Sequence, residues 1–337
     1  MAYMHKLNTA IAALTLTYAA GTGAAFALDE VSYGTNWVAQ AEHGGFYQAV
    51  ADGTYEEFGL DVTIVPGGPQ AANSALLISG KIEFYMGGTL SGFDAVKNEI
   101  PIINVASIFQ KDPQILAAHP DQGIEEFADL ADIETIYMGK DGFITYFEWM
   151  KGLDVGFNEA QYKPYTFNPA PFIADPNSAQ QGYLTSEPYE IEKQAGWAPK
   201  IFLLADEGWN PYSTMITTQK SLVEENPDLV QRFVDASIIG WYNYLYGDNT
   251  AANDLIKADN PEMTDGQIEF SIAKMKEYGI VDSGDTLEKG IGCMTDEHFK
   301  AFFDTLAEIG VVDADLDYTQ SYTTEFVCKG VGMDLKM

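Results

Sequence analysis

The chain has 337 residues, 46% of them apolar, and a formal net charge of −32 from 50 acidic and 18 basic side chains. That apolar share is ordinary for a packed globular protein and argues against a disordered one. The charge repels nucleic acid and anionic lipid headgroups alike, so neither is expected as a partner, and nothing about ligand charge follows from it.

Residues 1–27 combine a short positive start at Lys6, an apolar run from Ile11 to Ala20, and small residues ending in Ala25-Phe26-Ala27. An apolar centre shorter than the ~20 residues of a spanning helix, closed by an A-x-A end, predicts a secretory signal cleaved after Ala27. The mature chain would start at Leu28, with no cysteine there to take a lipid. A free periplasmic monomer is expected, and its length of about 310 residues favours two lobes over one core. Cys293 and Cys328 are the only cysteines. In an exported chain they allow one disulfide or two buried thiols, according to their Cα separation.

Val31–Tyr33 predicts a strand and Gly44–Phe58 a helix, with Leu60–Val65, Ala71–Ser79 and Ile82–Met86 continuing as strand, helix and strand. This alternation is the doubly wound α/β pattern of parallel strands joined by right-handed crossovers. Ile102–Phe109 is a further strand and Gln114–Ala118 an apolar crossing segment. The pattern then restarts with a helix at Gly123–Leu130, a strand at Thr135–Met138, a helix at Phe143–Gly152 and a strand at Lys200–Ala205. Ser213–Thr217 reads as the return crossing.

The expected division is therefore a first lobe over 28–117, a second over 118–212, and a return over 213–337, with a two-strand hinge between the lobes. Helices follow at Ser221–Gly247, Thr250–Lys257, Thr264–Tyr278 and Thr295–Glu308, expected to buttress the first lobe. Tyr322–Val327 has the composition of a short strand or an extended strap.

No catalytic, metal or cofactor motif is present. The glycines near 87–92 do not form G-x-S-x-G, and there is no Walker loop or zinc-binding helix. Asp313-Ala314-Asp315-Leu316-Asp317 has the start of a calcium loop, but Tyr318 replaces its glycine and Thr324 its bidentate glutamate.

The candidate ligand-binding residues gather where parallel strands end, since such ends open into the crevice that binds ligands. Asn36 and Trp37 follow the first strand, and the indole offers a stacking plane for a flat heterocycle, unless it is a core tryptophan under the first helix. Glu42 and His43 sit at a helix start, where unpaired N–H groups meet polar ligand atoms; His43 is a ligand contact or a local cap. Gly67-Gly68 and Gly88-Thr89 follow the next two strands, and glycine admits close backbone approach.

Lys140, after Gly139, is a candidate cation or a solvated surface residue. Gln181, Tyr183, Glu187 and Tyr189 combine amide, carboxylate and phenol groups suited to a ring with donors and acceptors.

Trp37, Glu42-His43-Gly44-Gly45-Phe46-Tyr47, Pro66-Gly67-Gly68-Pro69 and Gln181-Gly182-Tyr183-Leu184-Thr185-Ser186-Glu187-Pro188-Tyr189 together resemble the solute-binding proteins of nitrate/sulfonate/taurine and thiamine-pyrimidine (NMT1/THI5-like) ABC importers. The resemblance spans nearly the whole mature chain and is nearest to the thiamine-pyrimidine and riboflavin-type branch. It implies the type II periplasmic binding fold and a receptor that delivers a small molecule to an inner-membrane permease with its ATPase. Carried over from thiamine-pyrimidine receptors, Trp37 would be an aromatic wall and Glu187 the carboxylate that meets an aminopyrimidine edge.

The rival within the binding class is an anion receptor for sulfonate, nitrate or taurine, relying on glycine-turn N–H groups and Lys140. The rival of another class is a pyrimidine-precursor synthase of the same fold. That enzyme needs a cysteine-rich iron motif, which two isolated cysteines do not make, and it would not need an export signal.

Overall fold

A computed structural model describes residues 27–68 and 70–336, so the expected signal segment up to Phe26 lies outside the described residues, as does Pro69. The chain forms two five-stranded sheets. The first contains β1 (Asp29–Gly34), β2 (Leu60–Val65), β3 (Phe84–Gly87), β4 (Ile102–Phe109) and the late strand β10 (Ser213–Gln219), in the order β2-β1-β3-β10-β4. The second contains β5 (Gln114–Ala118), β6 (Thr135–Met138), β7 (Tyr162–Pro164), β8 (Ser178–Tyr183) and β9 (Lys200–Leu203), in the order β7-β6-β8-β5-β9.

Each sheet is parallel on one side and mixed on the other. β1 runs parallel to β2 and β3, and β6 parallel to β7 and β8, as short strand-helix-strand units require. The strands that enter from the other lobe are antiparallel insertions: β10 lies between β3 and β4, and β5 between β8 and β9.

This corrects the expected division of the chain. Gln114–Ala118 is not a crossing but an interior strand of the second sheet, which is why Ile115, Leu116, Ala117 and Ala118 are all fully buried. Ser213–Thr217 likewise belongs to the first sheet. The chain changes lobe in the irregular segments 110–113 and 208–212, ahead of the expected boundary at 117/118. The two segments lie side by side, with the Asp112 N–H donating to Asn210 Oδ1 at 3.1 Å.

Expected helix limits shift where capping or glycine intervenes. The first helix runs Gly44–Ala51 and resumes as a single turn at Thr54–Glu57, broken at Gly53. Gly123–Leu130 is instead a tight 3-10 stretch at Phe127–Asp132, and Phe143–Gly152 is two short helices, Lys140–Phe143 and Tyr146–Gly152. Asn226-Pro227 splits the long C-terminal helix into Lys220–Glu225 and Pro227–Tyr246, the Asn226 side chain accepting from Leu229 N.

The core of the first lobe centres on the contact between helices Gly44–Ala51 and Pro227–Tyr246. A Cβ on Gly44 would come within 2.0 Å of the Tyr244 ring, and one on Gly45 within 2.2 Å of the Trp241 ring, so only glycine lets these helices meet. Those two glycines fix the position of Glu42 and His43 just ahead of them.

The C-terminal helices do more than buttress the first lobe. Helix Asp265–Glu277 also reaches the second: Ser271 Oγ donates to Thr185 O at 2.6 Å, and Phe270 meets Tyr189 with ring centroids 5.5 Å apart. Of the two possibilities for Tyr322–Val327, the strap is found; only Tyr322 bridges to β4, through Asn104. Cys293 and Cys328 are joined in a disulfide, with Cα atoms 4.6 Å apart, which ties the end of that strap to the body.

Among the described residues no helix is long and apolar enough to cross a membrane. Asp313 of the imperfect calcium sequence pairs with Lys97 at 2.9 Å.

Candidate functional site

The carboxyl ends of the first-lobe strands face the second lobe across a cleft with a cavity of about 200 Å³. Of the residues singled out in the sequence, Asn36, Trp37, Glu42, His43, Gln181, Tyr183 and Glu187 line it. The structure thus brings one set from each lobe to a common surface.

Asn36 and Trp37 lie in the turn after β1, held by a network that begins at Thr35. Thr35 Oγ1 donates to Trp37 O at 2.8 Å and accepts from Gly67 N at 2.9 Å, while Asn73 Nδ2 donates to Thr35 O at 2.9 Å. The Trp37 indole faces Phe167 of the second lobe with ring centroids 5.0 Å apart and planes at 45°. Tyr165 lies beside Phe167 at 5.4 Å. Trp37 is half-buried and at the cleft, rather than in the core under the first helix.

Glu42 and His43 are buried in the single turn Ala41–His43 that leads into helix Gly44–Ala51. Burial pushes the Glu42 carboxyl up to about 7, against the opposing effect of a hydrogen bond from Thr185 Oγ1 to Glu42 Oε1. Burial alone lowers His43 to about 3, which keeps the imidazole neutral, and its Nδ1 has no protein hydrogen-bond partner.

On the opposite side, Glu187 begins helix Glu187–Ala195 and folds back on β8. Its Oε2 accepts from Tyr183 N at 2.7 Å and its Oε1 from the Tyr165 hydroxyl at 3.5 Å. Burial raises its pKa as well. Gln181 Oε1 accepts from Gly139 N and the Tyr146 hydroxyl, each at 2.7 Å, leaving its amide NH₂ as the group available for a further bond.

Six candidates lie outside this lining. Gly67 packs against the Asn36–Trp37 turn, where a Cβ would meet Thr35 O at 2.4 Å, so its close approach is to protein backbone. Gly68 follows it with a φ of 145°. Gly88 caps helix Thr89–Lys97, and Thr89 is buried with its hydroxyl donating to Tyr212 O at 2.8 Å. Lys140 is exposed at the start of Lys140–Phe143. Tyr189 points away to Phe270 and Gly266.

Sequence reasoning missed Gln40, Met86, Gln114, Phe167, Gly182, Ser186 and Thr214, which also line the cleft. Phe167 had a findable signal: it is an aromatic residue just after a parallel strand end in the second lobe, the same logic that selects Trp37. Phe167 and Thr214 have φ of 59° and 48°, unusual for residues with a Cβ. Such strain concentrates at functional sites, and here two of its instances share one cleft.

Residues 40–251, more than half of the chain, match the family described as NMT1/THI5 like. The riboflavin-binding protein RibY of Chloroflexus aurantiacus is 22% identical over 90% of this chain and 87% of its own. The formylaminopyrimidine-binding protein of Halalkalibacterium halodurans is 23% identical over 68% of this chain and 71% of its own. Among solved structures, the alkanesulfonate-binding protein SsuA from Xanthomonas axonopodis pv. citri superposes with a TM-score of 0.61 at 12% identity, covering 89% of this chain and 100% of that one. The desulfurization enzyme DSZB superposes at 0.59 and 14% identity, covering 88% and 97%, so the fold also carries catalysis.

Two mixed sheets, a cleft between them and these likenesses agree on the periplasmic-binding-protein fold, and the chain belongs to the NMT1/THI5-like family.

Proposed function

We propose that this protein is the periplasmic solute-binding component of an ABC importer and that it captures a small, flat nitrogen heterocycle carrying an exocyclic amine. The observation that carries this is the lining of the cleft: two aromatic rings from opposite lobes, Trp37 and Phe167, flanked by the carboxyls of Glu42 and Glu187. A ring laid against these aromatic side chains gains stacking, and a carboxylate accepts from a ring amine.

The anion-receptor alternative fits less well. Among the described residues that line the cleft there is no lysine or arginine, and two acids would repel a sulfonate. The cavity of about 200 Å³ is below the ~300–1,000 Å³ of pockets for drug-sized ligands and favours one ring over a fused tricyclic system. The likeness to a formylaminopyrimidine-binding protein points the same way.

In this reading the chain is exported with cleavage after Ala27, works as a monomer without cofactor, and delivers its ligand unchanged to an inner-membrane permease with its ATPase. The crossings at 110–113 and 208–212 serve as the hinge. Native mass spectrometry of the protein purified from its source tests the proposal. A retained heterocycle with an amine, released at unaltered mass, is expected; a retained sulfonate, or a ligand converted during incubation, would overturn it.

A further inference from the structure

Glu42 of the first lobe and Glu187 of the second share one small cleft, and each meets only neutral donors there. Glu42 accepts from the Thr185 hydroxyl, and Glu187 from the Tyr183 N–H and the Tyr165 hydroxyl. A third acid stands behind them: Asp112, buried in the first crossing, accepts from the N–H of Gln114, itself part of the lining. Asp112, Glu42 and Glu187 each add to the effect of burial in raising the Tyr183 hydroxyl.

The described lining offers no cation in return, and its only imidazole, His43, is held neutral by burial. A neutral ligand closing over these carboxyls would supply no countercharge and favour their protonated forms, whereas a cation would hold them ionised. The rest of the lining mixes neutral polar groups with the rings of Trp37, Phe167 and Tyr183. Trp37, Phe167 and Tyr165 form a continuous set of rings, and ring faces attract cations.

We infer that the cleft selects heterocycles that carry a positive charge, held between Glu42 and Glu187 with the charged ring against Trp37 and Phe167. This rests on the heterocycle proposal above and adds the ligand's charge to it. An amidinium-like edge, with parallel N–H groups on a conjugated frame, has the geometry that carboxylates bind bidentately. A preference for cations separates this site from receptors for sulfonates and for uncharged rings of the same shape.

The test uses three single-ring probes of similar size and calorimetry on the full chain. They are 1-methyl-4-aminopyridinium, a fixed cation; 4-methylaniline, its neutral isostere; and 4-aminobenzenesulfonate, an anion. The cation should bind at least roughly tenfold more tightly than 4-methylaniline, as expected of a charge-assisted contact, and the sulfonate should not bind. Glu42→Gln and Glu187→Gln should each narrow the gap between cation and isostere, with melting temperatures confirming that both variants fold.

Equal affinity for cation and isostere would overturn the charge inference and leave the heterocycle proposal standing. The same holds if neither glutamine variant changes the gap. Binding of the sulfonate alone, or of no ring probe, would overturn both.

Discussion

The Thr185 hydroxyl, in the second lobe, donates a hydrogen bond to Oε1 of Glu42 in the first, and both residues are buried. The Thr185 carbonyl in turn accepts from Ser271 Oγ on helix Asp265–Glu277. A single turn of the second lobe is thereby clasped by the first lobe on one side and by a C-terminal helix on the other. The clasp adjoins Glu187, so the position of that carboxylate depends on it.

Thr185→Val keeps the side-chain volume and removes only the donor. A hydrogen bond contributes ~0.5–1.5 kcal/mol to a neutral acceptor and ~1.5–3 kcal/mol to an ionised one, so losing this one should favour separated lobes, most above pH 7 where Glu42 is ionised. Small-angle scattering should show a larger radius of gyration without ligand and a larger contraction on saturation. Identical radii for variant and parent would show that the bond does not govern closure.

The raised pKa of Glu42 gives stability a pH dependence of known sign. The carboxyl titrates at about 7 in the folded chain against 4.5 in the reference state, so the native state holds the extra proton between those values. Its contribution is fully present below pH 4.5 and is lost as pH rises through about 7. At ~1.4 kcal/mol per pKa unit the loss is of the order of a few kcal/mol. Asp112, raised to about 6 by burial, acts in the same direction, so the comparison must be a difference. Denaturant unfolding of the parent and Glu42→Gln should diverge between pH 4.5 and 7, the variant having the flatter profile. Parallel profiles would mean that Glu42 is ionised throughout.

Phe167 combines 57% exposure with a φ of 59°, so packing does not explain why a large residue stands there. Phe167→Gly should relieve ~1–2 kcal/mol of left-handed strain, offset in part by the entropy of glycine. Melting temperature should change little or rise, while affinity for a flat ligand falls. Trp37→Ala should weaken such a ligand by roughly 0.5–1.5 kcal/mol beyond the lost area and abolish a ligand-dependent change in indole fluorescence. If both variants bind as the parent does, the aromatic pair is not the ligand wall.

These residues also show which parts of the site were legible. Trp37 follows from local order, because a strand end is written in neighbouring residues, whereas Glu187 stands out by the polar and phenolic groups around it and by the family resemblance, its helix start being unread. The strands Ile102–Phe109 and Thr135–Met138 are found at their expected limits for the same reason. Gln114–Ala118 reads correctly as an apolar extended segment, yet its sheet is set by pairing with β8 and β9, which lie far along the chain.

Glycine turns mislead in a related way. The contact that requires glycine at 67 is Thr35 O, and the sequence cannot distinguish a protein oxygen from a ligand at that distance. Positive φ at Phe167 and Thr214 has no compositional sign at all, since neither residue type favours it.

The disulfide closes a segment of sequence separation 35 and anchors the strap whose Tyr322 bridges to β4. Cross-links over such spans typically stabilise by ~2–4 kcal/mol. Reduction, or Cys293→Ser with Cys328→Ser, should lower the melting temperature while leaving ligand affinity intact, because neither cysteine lies at the cleft. A parallel loss of affinity would show that the strap transmits to the site.

Glu187 should discriminate ligands by their amine. Its Oε2 already accepts from Tyr183 N, whereas its Oε1 has only the long contact to Tyr165, so the second oxygen retains capacity for a ligand donor. Glu187→Gln preserves an acceptor for Tyr183 and changes the charge, while Glu187→Ala removes both. For an aminopyrimidine the alanine variant should bind on the order of 10- to 100-fold more weakly, as a hydrogen bond to a charged group predicts. The same ring without its amine should lose much less. Calorimetry of both ligands against parent and variants completes the cycle, and the glutamine variant separates the charge from the turn it supports. Equal losses for the two ligands would assign Glu187 to holding the turn at Tyr183 rather than to recognising the amine.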